Sequence, residues 1–230
     1  VGALSGLLLA ALPAAAGAKD YGPGVTDSEI KLGQTMPYSG PASAYGMIGR
    51  AEQAYFKMIN DQGGINGRKI KLISLDDGYS PSKTVEQVRR LVEEENVLAI
   101  FNPLGTASNS AIQKYLNVKK VPQLFVSSGS SRFNGPKQFP WTMPWLPSYA
   151  AEGRSAVEFI LKARPNAKLA VLYQNDDLGK DYLRGVHEGL GDKVKSVIKA
   201  EISYEVSDPT VDSAIISLQG SGADTFINIA

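Results

Sequence analysis

Short, nearly uncharged apolar runs alternate along this chain with longer stretches where apolar residues return every third or fourth position. The first pattern predicts strands covered on both faces, the second amphipathic helices. Ile30–Thr35 reads as a strand that runs into the turn-rich loop Met36–Ser43. A helix over Tyr45–Asp61 follows, with Ile48, Ala51, Tyr55, Met58 and Ile59 on one face and Gly63-Gly64 closing it. Asn66-Gly67 turns the chain into the strand Lys69–Leu75 and the pair Asp76-Asp77. Ser80-Pro81 then starts a helix carrying Val85, Val88, Leu91 and Val92 and ending near Glu95. Leu98–Phe101 and Gln123–Val126 are the next two strands, with a helix between them.

The order up to Val126 is therefore β-α-β-α-β-α-β, with each helix returning the chain for a parallel partner. Phe133–Ser148 breaks the rhythm, with Pro136, Pro140, Pro144 and Pro147 interleaved with Trp141 and Trp145. Proline suits an edge or a crossing better than a central strand. A second alternation then begins with a helix over Tyr149–Ala163, the strand Lys168–Tyr173 and the loop Gln174–Gly179. It continues through a helix over Lys180–Leu190 and the strand Val194–Ile202. A helix capped by Ser207-Asp208-Pro209 runs to Leu218, before a last apolar strand over Ala223–Ala230. This pattern predicts an α/β fold of two Rossmann-like βαβ lobes joined by a hinge. The lobes divide as residues 19–140 and 141–230. The last strand stops in mid-run, so the second lobe reads as incomplete and C-terminally truncated, with an apolar edge that predicts poor solubility of residues 19–230 alone.

The first 18 residues add a compartment. An apolar run from Leu4 to Leu12 is followed by small residues ending in Ala16-Gly17-Ala18, which predicts a secretion leader cleaved before Lys19. The segment opens at Val1 without Met or a basic stretch, so its true start is expected further upstream.

The strands Leu98–Phe101 and Gln123–Val126 each end in a small, hydroxyl-rich loop, Gly105–Asn109 and Ser127–Ser131. In open α/β sheets, ligands sit beyond the carboxyl ends of the strands, where loops meet helix N-termini. Two such loops one crossover apart would lie side by side and offer hydroxyl and N–H donors to an anionic head group. The same residues serve equally well as tight turns and helix caps.

Composition narrows the chemistry. The chain has no Cys, one His and a formal charge of +1. Thiol nucleophiles, cysteine-ligated metal sites and disulfides are thereby excluded, and no basic stripe points to nucleic acid. No phosphate-binding GxxxxGK[ST], nucleophile-elbow GxSxG or zinc-binding HExxH motif occurs, and no cofactor is predicted. His187 lies among charged helix residues, and Asp76-Asp77 and Asp176-Asp177 are read as turn caps rather than acid–base pairs. The chain thus reads as a binder rather than an enzyme; a secreted hydrolase would need a nucleophile and base that the sequence does not offer.

The chain resembles the type I periplasmic binding proteins of ABC importers, specifically the leucine/isoleucine/valine-binding class. The resemblance runs from Tyr21 to Ala230. It rests on IKLGQTMPYSGPASAYG, INDQGGINGRKIKL followed by DD, the loop Thr106–Asn109 before AIQKYL, VPQLFVSSG and LYQNDDLGKDYLRG. It implies an extracytoplasmic, periplasmic receptor that closes by hinge motion on a small carboxylate, acts as a monomer and hands its ligand to an inner-membrane ABC permease. The alternative it allows is a ligand-sensing domain of the same fold. It also implies a head-group site at Thr106, Ser108, Ser128, Ser130 and Ser131, with Gly129 giving close backbone approach. Tyr45 would cover the ligand body. Leu178 stands where leucine-binding members often carry Tyr, and Gly105 where some carry a hydroxyl residue. These departures leave the ligand open between an amino acid and an aromatic or other organic acid.

Overall fold

The computed structural model describes residues 21–230; the secretion leader read in residues 1–18 lies outside them. The first lobe is a five-stranded parallel sheet in the order β2-β1-β3-β4-β5. Its strands are β1 (Glu29–Met36), β2 (Lys69–Asp76), β3 (Ala99–Phe101), β4 (Gln123–Val126) and β5 (Thr142–Pro144). The helices α1 (Gly46–Asp61), α2 (Pro81–Glu93) and α3 (Thr106–Lys119) provide the crossovers, with a single 3-10 turn over Ser43–Tyr45 leading into α1.

The apolar residues of α2 and α3 make the core on one face of this sheet. Val88 and Leu91 meet Ile100 on β3 and Ile112 and Leu116 on α3, all essentially without solvent exposure. On the other face α1 is tied to β2 by one side chain: Asn60 accepts from the Ile70 N–H at 2.7 Å and donates to its carbonyl at 2.8 Å. Both bonds satisfy an edge strand where the ladder has no further partner.

The second lobe is a three-stranded parallel sheet in the order β7-β6-β8. It comprises β6 (Leu169–Gln174), β7 (Ile198–Tyr204) and β8 (Thr225–Ile229). The helices α4 (Tyr149–Ala163) and α5 (Asp177–Leu190) cover one face, where Val157, Val186 and Leu190 pack on Leu169. The helix α7 (Asp212–Gln219) covers the other face, where Leu218 meets Ala170 and Leu172. Successive residues of β6 thus feed opposite cores, as a pleated strand covered on both faces must.

Four expectations are corrected. β5 pairs with β4, so Thr142–Pro144 belongs to the first sheet and the chain leaves that lobe only after Pro144, not at residue 141. Its proline, Pro144, fits because β5 is the edge strand. The strand expected from Val194 starts at Ile198 instead, because Val194–Val197 forms a short helix, α6, that puts both valines against the second-lobe core. Spacing of three is a helical period, and it prevails over the β-propensity of valine there. α5 begins at Asp177 rather than Lys180, since the Asp176 carboxylate accepts from the N–H groups of Leu178 and Gly179 at 2.8 and 3.2 Å. α7 begins at Asp212 rather than beside Ser207. Asp208 folds back to accept the Glu205 N–H at 2.8 Å, which spends the expected cap on a turn.

Candidate functional site

The carboxyl ends of the parallel strands in both lobes face a common cleft, as open α/β sheets dictate. It encloses a cavity of about 570 Å³ lined from both lobes. The first lobe contributes Tyr45 from the turn before α1, Tyr79 from the β2–α2 loop, and Gly105, Thr106 and Ser127 from the ends of β3 and β4. The second lobe contributes Tyr149 and Tyr182 from α4 and α5, Gln174 and Leu178 from the β6–α5 loop and its helix, and Tyr204 from β7. No Lys, Arg, Asp or Glu is among the described lining residues.

Thr106 is the best-placed polar group. It is the first residue of α3, buried, with its hydroxyl 2.7 Å from the Ser128 hydroxyl. Gly105 precedes it at φ +102°, a conformation that suits glycine and lets the chain turn from β3 into the helix without a side chain in the cleft. The first N–H groups of α3 have no acceptor within the helix, and its dipole favours negative charge there. Neutral hydroxyl and amide donors can therefore hold a carboxylate at this point without a buried cation.

Five tyrosines, with Leu104, Leu146 and Leu178, form much of the rest of the walls. Tyr149 and Tyr182 stack with centroids 4.6 Å apart at 22°. Burial and the Tyr182 hydrogen bond to Glu152 push its pKa above the ordinary tyrosine range. Burial likewise pushes Tyr79 up to about 12. Both stay protonated at neutral pH.

Of the residues expected at the ligand site, Thr106 from the head-group set, Tyr45 and Leu178 line the cavity. The others serve it from behind. Ser128 holds Thr106 and accepts from the Ser130 N–H at 3.2 Å. Ser108 is buried and bonded to the Thr84 hydroxyl at 2.9 Å. Gly129 gives close approach to the chain rather than to a ligand: a Cβ there would lie 2.3 Å from the Pro147 carbonyl and 2.7 Å from the Tyr149 ring. Tyr38, on the loop after β1, lies outside the lining, with its hydroxyl 2.6 Å from Ser74.

Ser130 and Ser131 join the lobes. Asp181 on α5 accepts from the Ser130 hydroxyl at 3.0 Å and the Ser131 N–H at 2.8 Å, and Arg184 completes the shell at 2.8 Å. Arg132 reaches Asp177 beside it at 3.1 Å. Burial alone would raise the Asp181 pKa, but Arg184 and the serine donors outweigh it and hold the carboxyl below its usual range. A depressed carboxylate contributes stability above its unfolded pKa of about 3.9 and loses it as pH falls through the lower folded value. Asp181→Asn is therefore expected to lower the unfolding midpoint at pH 7, with the gap to wild type closing towards pH 2–3. A gap unchanged across that range would show that the carboxylate charge plays no part.

The acidic pairs behave as caps. Asp76 accepts from the N–H groups of Tyr38, Ser39 and Gly78 at 2.8–3.0 Å, while Asp77 and Asp176 hold their own turns. His187 pairs with Glu201 on the surface of the second lobe. Tyr79, Tyr182, Tyr204 and Gln174 were not anticipated. Gln174 and Tyr204 end parallel strands, a position that could have marked them; Tyr182 is placed by helix packing that no local pattern shows.

The family described as periplasmic binding protein matches residues 29–230. Among curated proteins, a Leu/Ile/Val-binding protein homolog of Brucella abortus is 23% identical over 87% of this chain and 52% of its own length. Among solved structures, a fatty acid ABC transporter substrate-binding protein from Thermomonospora curvata superposes with TM-score 0.79 at 26% identity, covering 91% of this chain and 53% of that one. The branched-chain amino acid transporter substrate-binding protein of Streptococcus pneumoniae shares the fold, with TM-score 0.75 at 21% identity over 87% of this chain and 57% of its own. The chain spans about half the length of the curated relatives it matches. With two parallel α/β lobes, a cleft at their strand ends and a family match over most of its length, the chain belongs to the periplasmic binding protein family.

Proposed function

We propose that this chain is part of an extracytoplasmic solute receptor of an ABC importer. In this reading it binds a small carboxylate between its lobes, closes on it by hinge motion and presents it to a membrane permease. The observation that carries the reading is the uncharged cavity of about 570 Å³, with Thr106 at its head and tyrosine and leucine side chains for walls. Such a site suits an acid with an apolar or aromatic body: neutral donors take the head and ring faces cover the rest. The printed names of the relatives, a Leu/Ile/Val-binding protein homolog and a fatty acid transporter's binding protein, agree with a carboxylate carrying an apolar body. Amino acids, aromatic acids and aliphatic acids are the candidate ligands. A periplasmic location and a monomeric receptor belong to the same proposal.

The test is thermal unfolding of the full-length protein against isoleucine, phenylalanine, benzoate and octanoate. A ligand at 100 times its dissociation constant adds about 2.7 kcal/mol of stability, a shift of several degrees for a protein of this size. At least one acid is expected to produce that shift. No shift with any of them would overturn the carboxylate reading.

A further inference from the structure

Tyr79 holds a backbone conformation that a bulky residue adopts only when its surroundings impose it, with φ +60°. Two neighbours impose it. Asp77, fully buried, accepts from the Tyr79 N–H at 2.9 Å through one oxygen and from the buried Thr84 hydroxyl at 2.8 Å through the other. Gly105 leaves the space into which the ring folds: a Cβ on Gly105 would stand 2.8 Å from Tyr79 Cε2. The ring therefore lies on the backbone at the start of α3, beside Thr106, where the head group is placed. Gln174 of the second lobe lines the same cavity. Gln174 is itself buried and fixed, donating to Asp176 at 2.6 Å. Asp77 holds the Tyr79 backbone and Gly105 receives the ring, so the ring has little freedom to swing away from an incoming ligand.

We propose that Tyr79 is a specificity-determining residue of the cleft: its ring walls the head-group end of the cavity against bulky acids. The inference rests on the carboxylate reading above and names the residue that limits ligand shape. Removing the ring opens the head of the cavity to acids branched near the carboxylate, whereas removing the hydroxyl alone leaves the cavity shape intact.

The experiment compares Tyr79→Ala and Tyr79→Phe with wild type in the full-length protein. It uses calorimetric titration with benzoate and diphenylacetate. Tyr79→Ala is expected to move the diphenylacetate-to-benzoate affinity ratio at least tenfold towards the bulkier acid, and Tyr79→Phe, which keeps the ring, to leave it within twofold. A ratio unmoved by Tyr79→Ala, or moved as far by Tyr79→Phe, overturns the wall. Where wild type binds neither acid, diphenylacetate binding gained by Tyr79→Ala supports the wall and its absence overturns it; failure of the carboxylate reading is read separately, from the lack of any thermal shift with the four acids above.

Discussion

Thr106→Val is expected to weaken carboxylate binding by roughly 10- to 100-fold while the protein still folds. The substitution keeps the shape of the side chain and removes only its hydroxyl. A hydrogen bond to a charged group is worth about 1.5–3 kcal/mol, which sets that range. The buried Thr106 hydroxyl also pairs with Ser128 at 2.7 Å, so some stability goes with it. Ser128 still accepts from the Ser130 N–H, which limits that loss to about 1 kcal/mol. Calorimetric titration with whichever acid stabilises the wild type, together with an unfolding curve, separates the two effects. A binding constant unchanged in a folded Thr106→Val variant would mean that the head group lies elsewhere in the cleft.

The second large effect concerns the lobe itself. Gly185→Val is expected to destabilise the second lobe by about 3 kcal/mol or more. α4 and α5 approach so closely at this point that a Cβ on Gly185 would stand 2.1 Å from the Ala150 carbonyl oxygen. The obstacle is backbone, which cannot rotate away, so the helices must separate. Gly153 repeats the arrangement from the other helix, with a Cβ there 2.4 Å from the Tyr182 carbonyl. Overpacking of a tight contact costs about 1–3 kcal/mol even where side chains can yield. Separation would also disturb the Tyr149–Tyr182 stack that walls the cavity. Denaturant unfolding checks this, with Gly135→Ala as a comparison in open space. Equal stability of Gly185→Val and wild type would contradict the packing described.

Much of this architecture was legible in the sequence because its strands are short apolar runs with helical spacing between them. Gln123–Val126 and Tyr149–Ala163 match the structure residue for residue. The misjudged boundaries share a cause: side chains that form turns. Asp176 starts α5 early, and Asp208 delays α7 by closing a turn of its own. At the site, the position of Thr106 followed from the rule that loops at strand carboxyl ends face the ligand. The serines after β4 followed the same rule, yet the fold uses them to support Thr106 and to grip Asp181. A hydroxyl in a loop carries no mark of which side it will face. The tyrosine walls were harder still, because Tyr149 and Tyr182 meet only through the packing of α4 on α5, and Tyr79 joins their cavity from the other lobe.

The most direct measurement is a crystal structure of the full-length protein grown with the acid that stabilises it best. The account predicts the carboxylate within hydrogen-bond distance of the Thr106 hydroxyl and the first N–H groups of α3. It predicts the ligand body between Tyr45 and Leu178, with both lobes in contact. A ligand whose carboxylate pairs with a cation outside this cleft, or that touches one lobe only, would contradict it.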